Sequence, residues 1–215
     1  MNLERVYEYR FRDVDVNARR TVWATIARYL WERYERPERV LDTAAGLGEF
    51  IAQVPAPERW GVDLVDHGLS AHRDVRVVIS SFAEADLPER HFDLVYASNV
   101  LEHLASPDEV ARFLGRAREL LRPGGRMVVM GPNYRYCAAD YFDCADHVLA
   151  LTHVAVAEHL YAAGFAVEDV VPRFLPYSFR SRLPASASLT EAYLRFPPAW
   201  RVLGKQFLVA GRVEP

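Results

Sequence analysis

VLDTAAGLGEF, residues 40–50, sets one acid and a run of small residues between two apolar stretches. Val40 and Leu41 read as a buried strand that ends at Asp42, and residues 47–53 read as a helix. Ala44, Ala45, Gly46 and Gly48 make the turn between them, with almost no side chain to keep a ligand away from the backbone. In open parallel sheets such ligands sit beyond the carboxyl ends of the strands, near the point where strand order reverses. A dinucleotide turn requires G-x-G-x-x-G. Here Ile51 stands where the third glycine belongs, and Asp42 is a poor neighbour for phosphate. A carboxylate suits a ligand that carries ammonium and sulfonium charge. A second acid, Asp63, ends the strand at 59–64, 21 residues after Asp42. It is placed to accept hydrogen bonds from both hydroxyls of a ribose.

Outward from this turn, apolar runs at 39–43, 59–64, 75–79, 91–97, 126–130, 165–171 and 205–212 read as strands. Residues 17–36, 107–121 and 152–163 read as helices. The clearest is 107–121, with Ser106 as N-cap, Pro107 at the first position and Glu109 completing a capping box. RPGG at 122–125 reads as a turn. Strands alternating with helices predict an α/β domain, a mostly parallel sheet with helices on both faces. The whole chain, 1–215, reads as one domain, with 1–36 as an N-terminal arm and helix capping it. Segments 131–151 and 172–200 break the alternation and read as acceptor-side or interface insertions.

The motifs taken together resemble the class I S-adenosylmethionine-dependent methyltransferases, over about 38–212. VLDTAAGLGEF resembles the nucleoside-binding motif and GVDL at 61–64 the acidic ribose loop. FDLVYASNVLEHL at 92–104 and LRPGGRMVVMGPN at 121–133 resemble the fourth- and fifth-strand segments. The resemblance implies a Rossmann-like, doubly wound, three-layer fold, seven-stranded with an antiparallel last strand. It also implies S-adenosyl-L-methionine as cofactor and S-adenosyl-L-homocysteine as product. Asp42 and the backbone of Thr43, Ala44, Gly46 and Gly48 would hold the methionine part. Asp63 would hold the ribose, Leu64 would pack on the adenine, and Ser81 and Phe82 would flank it. Ser98, Asn99 and His103 would lie near the methionine end. Two positions depart from the family pattern. Ala44 replaces the first glycine, and Ser81 stands where an acid often accepts from the adenine amine.

Methyl transfer from a sulfonium needs alignment and a dry site, and a hydroxyl acceptor also needs a proton acceptor. His103 is one candidate, or else a support for its loop. In the 131–151 insert, His147 and Asp146 stand near His153, Asp140 and Asp143. These read as base and orienter, as acceptor contacts, as divalent-cation ligands or as plain loop caps. No spacing among them fixes a metal geometry, so no metal site is expected. Tyr134, followed by Arg135 and Tyr136, stands at the ligand edge of the sheet as an acceptor-binding candidate. Tyr7, Tyr9, Arg10 and Phe11 read either as a lid or as a packed arm. The insert resembles methyltransferases of sugar-modification and natural-product pathways. That implies O-methylation of a sugar or similar hydroxyl, with N-methylation of an amino sugar as the alternative. A non-catalytic S-adenosylmethionine-binding subunit is the alternative outside catalysis.

The formal net charge of −3 gives no electrostatic footprint for nucleic acid, so the partner expected is a small molecule. No apolar run reaches membrane-spanning length, and the charged first residues do not read as a signal peptide. Cys137 and Cys144 lack paired spacing and read as reduced thiols, which makes the cytoplasm the expected compartment. The aromatics of 172–200 would serve a homodimer face as well as an acceptor cover.

Overall fold

All seven strands join one sheet in the computed structural model, which describes residues 3–12, 16–177 and 186–214. Two helices, α1 (Leu3–Phe11) and α2 (Val16–Arg33), precede β1 (Arg39–Asp42), β2 (Glu58–Asp63), β3 (Arg76–Ile79) and β4 (Phe92–Ser98). Then come α3 (Pro107–Leu120), β5 (Leu121–Pro132), α4 (Tyr134–Tyr141), α5 (His153–Ala162) and β6 (Ala166–Val171). The chain closes with α6 (Ala187–Leu194), α7 (Pro197–Leu203) and β7 (Gln206–Arg212). The strand order is β3-β2-β1-β4-β5-β7-β6. The first five strands in that order are mutually parallel, and β7 runs antiparallel between β5 and β6. Strand order reverses between β1 and β4, which puts the crevice at their carboxyl ends.

Alternate residues of each central strand feed opposite faces of the sheet. Leu41, Val95, Met127, Val129 and Val209 join Val110, Leu114, Ala117, Val156 and Leu160, the apolar sides of α3 and α5. Val40, Leu94, Tyr96, Val128 and Leu208 join Ile26, Leu30 and Ile51 on the other side. These are the two interfaces of a three-layer stack. Helix ends follow their sequence signals. Ser106 accepts from Glu109 N at 3.3 Å, Glu109 accepts from Ala105 N at 2.8 Å, and Thr152 caps Ala155 N at 3.2 Å.

Two expectations are corrected. Residues 47–53 form successive turns rather than a continuous helix, because Gly46 and Gly48 hold φ of +54° and +75° and Pro55 closes the far end. RPGG is no separate turn, since β5 runs through it. The register jumps between the pairs Phe92–Leu121 and Leu94–Arg126, and Gly124 absorbs the bulge at φ +76°.

Much of 172–200 is core. Phe174, Leu175, Leu194 and Trp200 are buried with α2. Phe174 stacks on Tyr29 at 5.9 Å and meets Trp200 edge-on at 5.2 Å. Residues 178–185, including Phe179 of that segment, lie outside the described residues.

Candidate cofactor and acceptor site

Thr43 N and Oγ1 both donate to the Tyr96 carbonyl at 3.0 Å, and Ala45 N donates to the Val62 carbonyl at 2.9 Å. The turn is thereby tied to β4 on one side and β2 on the other. Gly46 N donates to Asp63 Oδ2 at 2.7 Å, so the first acid's loop is held by the second acid. A side chain on Gly46 would meet no atom within 4 Å, whereas a Cβ on Gly48 would stand 2.9 Å from the His72 ring. The open side of the turn therefore lies at Gly46. Ala44 keeps a negative φ, which is why an L-residue is tolerated where the resembling family has glycine.

Asp42 is 3% exposed, and its one backbone contact is Ala44 N at 3.3 Å. Burial pushes its carboxyl up to about 7; the Ala44 contact opposes this, and the neighbouring acids Asp63 and Glu49 add to it. A cationic ligand would relieve that cost. Leu64 is exposed beside Asp63. Ser81 donates to Glu84 at 2.9 Å. Phe82 is buried against Phe113, ring centroids 4.6 Å apart, so its ring packs into the core. Ser98 ends β4 and accepts from Asn99 Nδ2 at 2.9 Å. Asn99 holds φ +51° and donates its backbone N–H to Met130, bridging β4 to β5 at the cleft.

The 3-10 turn Leu101–His103 follows, and the 131–151 segment folds over it. Val148 N and Leu149 N donate to the Glu102 carbonyl at 2.8 and 3.0 Å. These bonds set His147 over the turn, and its ring meets His103 edge-on at 5.0 Å. His103 Nδ1 lies 2.9 Å from the Asp146 carbonyl. A carbonyl only accepts, so the Nδ1 proton is fixed and the lone pair stands at Nε2. The Asp146 carboxylate pairs with Arg10 of α1 and lies 3.6 Å from the His103 ring. Burial would raise its pKa, but the hydrogen bond and charge of Arg10 outweigh that and hold it below the usual carboxylate range. Burial, with His103 beside it, lowers His147 to about 4, so its ring is neutral near pH 7.

Tyr134 reaches this cluster only through intermediates: it meets Tyr141 at 5.3 Å, which meets His147 at 4.7 Å. His153 lies apart, bonded to Asn133 Nδ2 at 2.9 Å. Asp140 binds Lys205 at 2.7 Å. Of the arm, Arg10 reaches the site and Tyr9 is exposed, while the side chains of Tyr7 and Phe11 lie outside the described residues.

Sequence reasoning passed over Glu102. It is 2% exposed, burial pushes it up to about 7, and its Oε1 has no hydrogen-bond partner. The available signal was a lone acid between Leu101 and His103 in NVLEHL.

A family profile described as a methyltransferase domain matches residues 16–170. The chain belongs to this methyltransferase family. The methyltransferase is 38% identical over 63 residues to a ubiquinone biosynthesis O-methyltransferase of Bradyrhizobium, covering 29% of this chain and 23% of that one. It is 32% identical over 110 residues to an uncharacterised transposon-encoded protein of Streptomyces fradiae, covering 46% and 31%. The aligned stretches thus span less than a third of these relatives. A solved S-adenosylmethionine-dependent methyltransferase of Archaeoglobus fulgidus superposes with a TM-score of 0.66 at 20% identity, over 96% of this chain and 97% of that one. The Burkholderia thailandensis 1,6-didemethyltoxoflavin-N1-methyltransferase, solved with its substrate and S-adenosylhomocysteine, superposes at 0.61 and 24% identity, covering 99% and 86%. The family profile thus covers most of the chain, and the solved neighbours share its fold. Among the described residues no helix is long and apolar enough to cross a membrane.

Proposed function

We propose that the enzyme methylates a hydroxyl of a small polar acceptor, a sugar or natural product, with His103 taking the proton. The observation that carries this reading is the Nδ1–H bond from His103 to the Asp146 carbonyl, which leaves a lone pair at Nε2 on a half-buried ring just past β4. A positioned base of this kind is what an alcohol needs and an amine does not. Asp42, the Thr43–Gly48 backbone, Asp63, Leu64, Ser98 and Asn99 hold the cofactor in this reading. Support comes from the Asp63–Gly46 contact that joins the turn to β2 and from the uncovered Leu64. Tyr134 would then line the acceptor side, joined to His147 through the buried Tyr141. The O-methyltransferase relative from Bradyrhizobium agrees with the class of acceptor atom. N-methylation is favoured by the Burkholderia neighbour, which acts at nitrogen.

The test is S-adenosylhomocysteine release and acceptor mass gain with a panel of sugars, amino sugars and phenolic natural products. Hydroxyl acceptors are expected to gain one methyl group, and His103→Gln to lose at least about a hundredfold in kcat, the scale of a general base. Turnover of amines alone, indifferent to His103→Gln, would replace the O-methylation reading with the N-methylation one.

A further inference from the structure

We propose that Glu102, His103 and His147 form a binding site for one divalent cation of the zinc type. One carboxylate oxygen and one nitrogen from each ring all lie within 4.8 Å of one another. A tetrahedral zinc with bonds of about 2.0–2.1 Å holds its ligand atoms about 3.4 Å apart. The donors therefore need to close by at most about 1.4 Å, within reach of side-chain rotation alone.

Two buried side-chain atoms of this one cluster, Glu102 Oε1 and His147 Nδ1, have no hydrogen-bond partner. A buried carboxylate with an open oxygen is costly unless an opposite charge meets it. The spacing is held by backbone rather than by pairing between the side chains: Val148 N and Leu149 N anchor the His147 loop to the Glu102 carbonyl. His103 is oriented as metal-bound histidines usually are, with its remote N–H on a carbonyl and its other nitrogen free.

A second set, Cys144, Asp146 and His147, also lies within 4.8 Å. Its donors are already engaged: Asp146 pairs with Arg10, and Cys144 Sγ lies 3.3 Å from Tyr177 Oη. The open lone pairs belong to the first set. Two imidazoles and one carboxylate favour zinc, cobalt, iron or manganese over the all-oxygen preference of magnesium. Three protein ligands leave a position open, and the partly exposed edge of His103 gives it a route to the cleft. The site rests on no assignment of the methyl acceptor, although a cation there would share the His103 nitrogen that the proposed proton transfer uses.

Chelator-stripped protein is titrated with Zn2+, Co2+ and Mg2+ by calorimetry, and bound Co2+ is read by its visible ligand-field absorption. One equivalent of Zn2+ or Co2+ is expected to bind, with a low-symmetry cobalt spectrum and no heat with Mg2+. Glu102→Gln and His147→Gln should each weaken binding at least about tenfold, with far-UV circular dichroism unchanged. Cys144→Ser should leave it unchanged. No binding by the folded wild type, equal binding by Glu102→Gln, or a loss confined to Cys144→Ser would overturn the assignment.

Discussion

Asp42→Asn should stabilise the free enzyme and weaken its cofactor site, and the two effects should separate with pH. The Asp42 carboxyl titrates near 7 in the fold against 3.8 in the open chain, because burial disfavours its charge. Between those values the folded form holds a proton that the unfolded form has lost. Stability therefore falls as pH rises from about 4 to about 7 and is level above that. Asparagine keeps an oxygen for Ala44 N and carries no charge to bury. From pH 5 to pH 8 the wild type should lose about 3 kcal/mol relative to the variant, two pH units at about 1.4 kcal/mol each. In a chain of this length that is a gap in melting temperature that widens by about 6–12 °C. Glu102 also titrates near 7, but it is common to both proteins and cancels in the difference. The ligand should act in reverse. S-adenosylhomocysteine with its ammonium group needs the ionised acid, so wild-type affinity should rise about tenfold from pH 6 to pH 8. The variant should bind more weakly, with a flat profile. Scanning fluorimetry and calorimetry at the two pH values read both effects. A melting-temperature difference that does not change with pH would refute the buried-charge argument. Equal affinities at pH 8 would remove Asp42 from the cofactor site.

Asp63→Ala removes the acceptor for Gly46 N at 2.7 Å and, on the proposed reading, for the ribose. Calorimetry should show S-adenosylhomocysteine binding weakened about 10–100-fold, the worth of a charged hydrogen bond, and an unchanged Kd would take Asp63 out of the site. Gly48→Ala combines φ +75° with a Cβ 2.9 Å from the His72 ring. It should cost about 1–3 kcal/mol by thermal unfolding, and adding His72→Ala should recover the steric share but not the backbone share. Phe174→Ala empties a site with no solvent exposure between Tyr29 and Trp200. It should cost about 3–5 kcal/mol in denaturant unfolding, and a loss under 1 kcal/mol would return that segment to the status of a loose insertion.

The strand–turn–strand frame of the proposed cofactor site was legible because its signals are local. Close approach to backbone needs small residues in sequence, and one acid at each of two strand ends falls a fixed distance apart, as Asp42 and Asp63 do. Strands and helices showed for the same reason, since period and caps are properties of neighbours along the chain. What local signals do not reach depends on partners far away. Phe82 reads as a cleft residue until Phe113 is seen against it. Phe174 and Trp200 read as an aromatic cover until Tyr29 of α2 is placed between them and solvent. Glu102 is the sharpest case. By type it belongs on the surface, and only the insert's Val148 and Leu149, bonded to its carbonyl from 46 and 47 residues away, bury it beside His147. On the proposed reading, the acceptor side is built by convergence of distant side chains on a cofactor platform that local backbone chemistry fixes. Acceptor choice therefore has to be sought in the contacts among residues 102, 103 and 146–149 rather than in any contiguous motif.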